Sequence, residues 1–152
     1  MTMSFNNKQI FFALRSLLID YAKETAKKDG VSNGEIVKVA IGFPYYKQNM
    51  VHKVNDICRD PKTEQPKRCV TEYDGSVQTD WTIETGTLWY AYHGTSAMTA
   101  YPWQAPTGAH DIYKKGEWMT YTDGNIYECI SDTNFSPTDY AQAWKNHGSG
   151  QA

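Results

Sequence analysis

No apolar run in this chain of 152 residues approaches the roughly 20 residues that cross a bilayer. The longest candidate, Ile10 to Ile19, is interrupted by Arg15 and Ser16, and no small-residue cleavage site follows it. Neither a secretory signal nor a membrane anchor is expected. Cysteine is scarce. Cys58, Cys69 and Cys129 are an odd number and make no disulfide framework. Cys58 and Cys69 flank the loop RDPKTEQPKR, so a bridge closing it is one alternative; free thiols are the expected state. No CxxC pair occurs, and His52, His93, His110 and His147 lack metal-ligand spacing, which argues against a metal site.

An excess of basic charge is also missing. Fifteen Lys and Arg face 17 Asp and Glu, for a formal net charge of −2, which argues against a nucleic-acid binder. The separate pairs Lys27-Lys28 and Lys67-Arg68 read as solvated surface. There is no Gly-rich phosphate loop, GxSxG elbow or HExxH. Glycoside hydrolysis needs two carboxylates across a cleft, whereas Asp111, Glu117, Asp123, Glu128 and Asp132 fall mostly at turns and strand ends. No catalysis and no cofactor are expected.

What the chain has is aromatic residues: five Trp, eleven Tyr and five Phe, with every Trp beyond residue 80. It also has one strong helical stripe. Ile10, Leu14, Leu17 and Tyr21 follow 4-3-4 spacing, and Phe11, Leu18 and Ala22 widen the face. Lys27 and Lys28 suit the last turn, and Gly30 suits a C-terminal stop. This face either packs on its own chain or assembles with copies of itself or a larger particle. A broad stripe of this kind fits a trimer better than a narrow two-stranded seam.

From Val31 to His93 the reading changes to strands. EIVKVAIGF and MVHKVNDIC are rich in β-branched residues, Asn33-Gly34 and Asp74-Gly75 signal turns, and Asp80 to Tyr92 suits a hairpin around Glu84-Thr85-Gly86. This middle β region is either a small domain or a set of extended arms. Residues 94–101 suit a linker, 102–147 a compact β module and 148–152 a flexible tail. The expected class is α+β, mainly β.

In the module, Met119 and Tyr121 alternate along a strand, Asp123-Gly124 makes the turn, and Asn125 to Ile130 returns. The run WQAPTGAHDIYKKGEWMTYTDGNIYEC, followed by NFSP and AWK, resembles the small chitin-binding type of carbohydrate-binding module, family 5/12. The WxxPTGAHD opening is similar to modules of phage and prophage structural proteins, where a short helical segment often precedes it. The resemblance covers less than a third of the chain. It implies that Trp103, Tyr113, Gly116, Tyr121, Gly124, Tyr127 and Trp144 are framework positions. Sugar-binding members carry an exposed aromatic pair after the second hairpin strand, where this chain has Ile130 to Phe135 and a single ring.

Trp118 alternates with Met119 and so either faces outward as a sugar platform or is buried against the middle region or a neighbouring subunit. The candidate sugar contacts are Trp118, Phe135 and Tyr140, with Asp132 and Asn134 as hydrogen-bonding neighbours. The expected role is a virion structural protein of a bacteriophage (tail, fibre or capsid decoration). It would be assembled with itself and other virion proteins in the host cytoplasm, released by lysis, and display the module toward cell-surface polysaccharide. Two alternatives remain: a binding module of a secreted chitin- or glycan-degrading system, and a purely structural virion subunit.

Overall fold

The computed structural model describes residues 6–150. The five residues before Asn6 and the last two residues of the expected tail lie outside the described part. The fold is α+β and mainly β, with one long N-terminal helix and, among the described residues, nine short strands in three sheets.

Helix α1 spans Asn7–Ala26. Asn6 caps it: its side chain accepts from the Gln9 N–H at 2.9 Å, and the Gln9 side chain accepts from the Asn6 N–H at 2.9 Å. The helix stops earlier than expected. Lys27 is the C-cap, so Lys27 and Lys28 follow the last turn, and Gly30, at φ +68°, belongs to the loop beyond. Only the C-terminal part of α1 meets the body, burying Ala22 and Thr25. Gly42 permits that approach, because a Cβ there would sit 2.3 Å from the Leu18 carbonyl oxygen. Ile10, Phe11, Leu14, Leu17, Leu18 and Tyr21 are all exposed. The stripe is thus divided: its Ala22 end packs on the chain's own body, and the rest is left open among the described residues.

EIVKVAIGF is helical, contrary to the strand expected there. Helix α2 spans Asn33–Lys38, and a single 3-10 turn at Ala40–Gly42 follows. Ser32 and Glu35 form a capping box: the Ser32 hydroxyl accepts from the Glu35 N–H, and the Glu35 carboxylate accepts from the Ser32 N–H at 2.9 Å. That cap satisfies the first-turn donors and outweighs a modest β-propensity. Asn33-Gly34 is therefore the first helical turn, and Ile36 is fully buried beneath α1 with Ala22, Val39 and Phe43.

MVHKVNDIC divides into β1 (Val51–His52) and β2 (Ile57–Arg59), broken at Asn55 with its left-handed φ of +74°. Strand β3 (Pro66–Cys69) lies between β2 and β5 (Trp89–Ala91), antiparallel to both, while β1 pairs with β4 (Tyr73–Asp74). The hairpin expected over Asp80 to Tyr92 does not form. Residues 81–88 make successive turns, and β5 finds its partner in β3, with Cys69 opposite Trp89. Trp89 is fully buried with Cys58, Cys69, Tyr73, Ile83 and Leu88, and its indole N–H donates to the Tyr73 hydroxyl at 3.0 Å.

The C-terminal sheet runs β6 (Tyr101–Pro102), β7 (Trp118–Thr120), β8 (Asn125–Cys129), β9 (Trp144–Ser149), with β6 parallel to β7 and the others antiparallel. The turn at Asp123-Gly124 is as expected, with Gly124 at φ +83° and Met119 opposite Tyr127. Tyr113, Met119, Cys129, Ala143 and Trp144 are the module's core, flanked by Trp103, Tyr121 and Tyr127. Gly148 and Ser149, expected in a flexible tail, belong to β9.

Residues 94–101, expected as a linker, are built into this sheet. The Trp118 N–H donates to the Gly94 carbonyl at 2.8 Å, the Thr120 hydroxyl donates to the Ala100 carbonyl at 2.7 Å, and Tyr101 opens β6. Further contacts join the module to the middle region. Asn33 donates to the Glu117 carboxylate at 2.9 Å, and the buried His93 ring stacks on Tyr113 at 3.7 Å.

Candidate functional site: an aromatic groove on the C-terminal module

Asp132, Thr133, Asn134, Phe135, Asp139 and Tyr140 line an open groove of about 490 Å³. Its walls are set by local hydrogen bonding in the segment between β8 and β9. The Phe135 N–H donates to the Thr133 hydroxyl at 3.0 Å, and the Trp144 indole N–H donates to the Phe135 carbonyl at 3.0 Å, which ties the rim to the core. Ser136 then turns the chain. Its hydroxyl donates to the Asp139 carboxylate at 2.8 Å, and its carbonyl accepts from the Tyr140 N–H at 2.8 Å. The turn brings Tyr140 to the same groove as Phe135, although five residues separate them in sequence. Phe135 is 55% exposed and Tyr140 43%, so the rings are open to a ligand rather than spent on the core. The Asp132 carboxylate accepts from the Lys115 N–H at 2.8 Å, which fixes that loop against the start of the β7 hairpin.

Four of the five expected contact residues therefore meet: Phe135, Tyr140, Asp132 and Asn134. Trp118 does not line the groove. It is half-buried, and the His147 ring from β9 stacks on it at 4.4 Å between centroids. His147 is held there by Glu128, which lies opposite Trp118 on β8 and bonds the imidazole at 2.9 Å. Trp118 is therefore neither a freely open platform nor wholly buried: it is half-exposed, with the His147 ring stacked on it. Thr133 and Asp139 were not anticipated as groove residues. The serine-to-aspartate spacing of Ser136 and Asp139 was the available signal, since it is the spacing of a side-chain cap.

Several other ionisable groups have structural explanations. Burial pushes the Cys58 thiol up to about 12 and the Cys129 thiol up to about 11, so neither is a ready nucleophile. All three cysteines are buried and free, in line with the expected thiol state. The Glu117 carboxyl is raised by burial but accepts from Asn33 and from the Lys114 N–H, so its bonds are used within the fold. Asp123 is lowered by the Tyr127 hydroxyl, which donates to it at 2.7 Å beside the β7–β8 turn. Among the described residues, no group of three or more His, Cys, Asp or Glu could hold a metal ion, and no helix is long and apolar enough to cross a membrane.

No protein-family model matches this chain, and no curated protein matches its sequence.

Proposed function

We propose that this chain is a non-enzymatic bacteriophage virion structural protein whose C-terminal module, of the family 5/12 carbohydrate-binding type, contacts host-surface glycan. The observation that carries this reading is the groove in which two exposed rings, Phe135 and Tyr140, sit with the polar side chains of Asp132, Asn134 and Asp139. Pyranose rings present apolar C–H faces to aromatic rings and hydroxyls to carboxylates and amides, and this lining offers both partners. The groove supplies an aromatic pair where the resemblance by sequence alone offered one ring.

An open groove of this size binds a single sugar weakly, so the assembly matters. Helix α1 leaves its apolar face uncovered over most of its length, with Phe11 61% exposed and Leu17 65% exposed. In water such a face is satisfied by a second copy of the same helix, and a trimer suits its breadth. Several modules on one particle then engage a surface with avidity far above that of one module. A second reading, a virion subunit without sugar contact, draws on the His147 ring that occupies Trp118.

A glycan array with the full chain presented on beads separates the two. Wild type is expected to bind a defined glycan, and the Phe135→Ala/Tyr140→Ala variant is expected to lose at least tenfold in binding while staying folded, because both rings are exposed. Absence of binding by folded, multivalent wild type overturns the sugar-contact reading.

A further inference from the structure

A second cavity, of about 410 Å³, lies between the end of α1 and the sheet of β2, β3 and β5; it is basic, and the proposed function does not use it. The chain segment Ala26 to Val31, just after α1, forms one wall, and Asn55, Ile57, Arg68 and Tyr92 form the other. Its charged lining is Lys27, Lys28 and Arg68 against Asp29 alone, a local positive excess in a chain whose net charge is −2. Lys27 is engaged on the outside by Glu24 at 3.2 Å. Arg68 is on the central strand β3, and its Nε is buried with no hydrogen-bond partner among the described residues. The Nε is shut away from the cavity, but Arg68 itself is half-buried, lines the cavity and has no ion-pair partner among the described residues; its guanidinium is a planar group that matches two oxygens of a carboxylate or phosphate.

Asn55 holds a left-handed φ of +74°, which asparagine adopts more readily than most residues other than glycine, and its N–H is fastened to the Cys69 carbonyl at 2.8 Å. This keeps Asn55 on the rim beside Arg68 and Ile57. The carbonyl end of α1 points toward the same region and by itself disfavours an anion; Lys27 and Lys28 follow that end directly and offset it.

We propose that this cavity is a binding site for a small oxyanion group, phosphate or carboxylate, gripped by the Arg68 fork and supported by Lys28. The site does not depend on the aromatic groove or on the sugar-contact reading.

The test is a titration of the full chain with inorganic phosphate at constant ionic strength, followed by phosphorus NMR line broadening. A parallel titration with glucuronate, read by calorimetry, distinguishes a sugar-borne carboxylate from phosphate. Saturable binding of either anion is expected, weakened about tenfold or more by Arg68→Met and less by Lys28→Gln. Lys28 is exposed, so its variant reports even where Arg68→Met fails to fold. Saturable binding that both variants leave unchanged overturns the proposal, and so does the absence of binding of both anions by wild type.

Discussion

At the residue scale, the groove depends on which rings the fold spends on its core and which it leaves out. Tyr113 and Trp144 are spent: each is almost wholly buried, and their rings meet edge-on at 5.2 Å. Burial of such rings, roughly 150–250 Å² each, supplies much of what so small a module can gather. Phe135 and Tyr140 are not needed for that. The framework rings were legible only through the motif the chain resembles, and the alternation along β7 set Met119 inside while Trp118, expected either outward or buried, is half-buried. The sequence could not show His147 over Trp118, because that contact arises from β9 pairing with β8 and has no local signal.

His93 gives a prediction at the same scale. Its Nε2 donates to the Asp111 carbonyl at 2.9 Å, so the neutral ring carries its proton there and its buried Nδ1 is bare. A second proton on the ring would create a buried N–H with no acceptor among the described residues. Burial accordingly lowers the His93 pKa to about 4 from its ordinary 6.5. The unfolded chain takes up this proton near pH 6.5 and the folded chain only near 4, so the stabilisation is full above 6.5 and is lost as pH falls through that window. The loss amounts to ~3 kcal/mol by pH 4. Burial lowers the His52 pKa as well, in the same direction. Urea midpoints measured from pH 7.5 down to 4.5 should fall, with a shallower slope in His93→Phe. Equal slopes in the two proteins would contradict this account.

At the element scale, α1 shows how far a periodic pattern reaches. The 4-3-4 spacing defined the helix and its apolar face, yet no spacing reveals what covers a face. The answer lies in Gly42, whose missing side chain lets only the Leu18–Ala22 end of the helix seat on the body. The opposite lesson comes from EIVKVAIGF, where β-branched residues suggested a strand and the reciprocal bonds of Ser32 and Glu35 made a helix. Over six residues a cap decides more than propensity does. Likewise Trp89 to Ala91 looked like half of a local hairpin, but its partner β3 lies some 20 residues earlier, at Pro66–Cys69. Because the α1 face is exposed in the isolated chain, Leu14→Asp/Leu17→Asp should leave the fold unchanged and convert an oligomer to a monomer in sedimentation velocity at micromolar concentration. Wild type that sediments as a monomer would contradict the assembly role of α1.

At the scale of the whole molecule, the middle region and the C-terminal module are fastened together rather than strung on a linker. The Asn33–Glu117 bond, the His93–Tyr113 stack and the Gly94–Trp118 bridge cross between them. The Thr107 hydroxyl also donates to the Gly86 carbonyl at 3.1 Å. A small polar stretch such as GTSAMTAY looks the same in sequence whether it is free or pinned, which is why 94–101 read as a linker. The consequence is mechanical: an assembly built on α1 would hold each groove through a continuous body, at a set position, as avid surface contact requires.

The measurement that tests this account most directly is retention on polysaccharide surfaces, chitin and bacterial cell-wall preparations among them. Wild type, Leu14→Asp/Leu17→Asp and Phe135→Ala/Tyr140→Ala would be compared at equal subunit concentration. The account predicts slow dissociation for wild type, fast dissociation when α1 is disrupted, and no retention when the two rings are removed. Equal retention of all three proteins, or no retention of an oligomeric wild type on any of these surfaces, would contradict it.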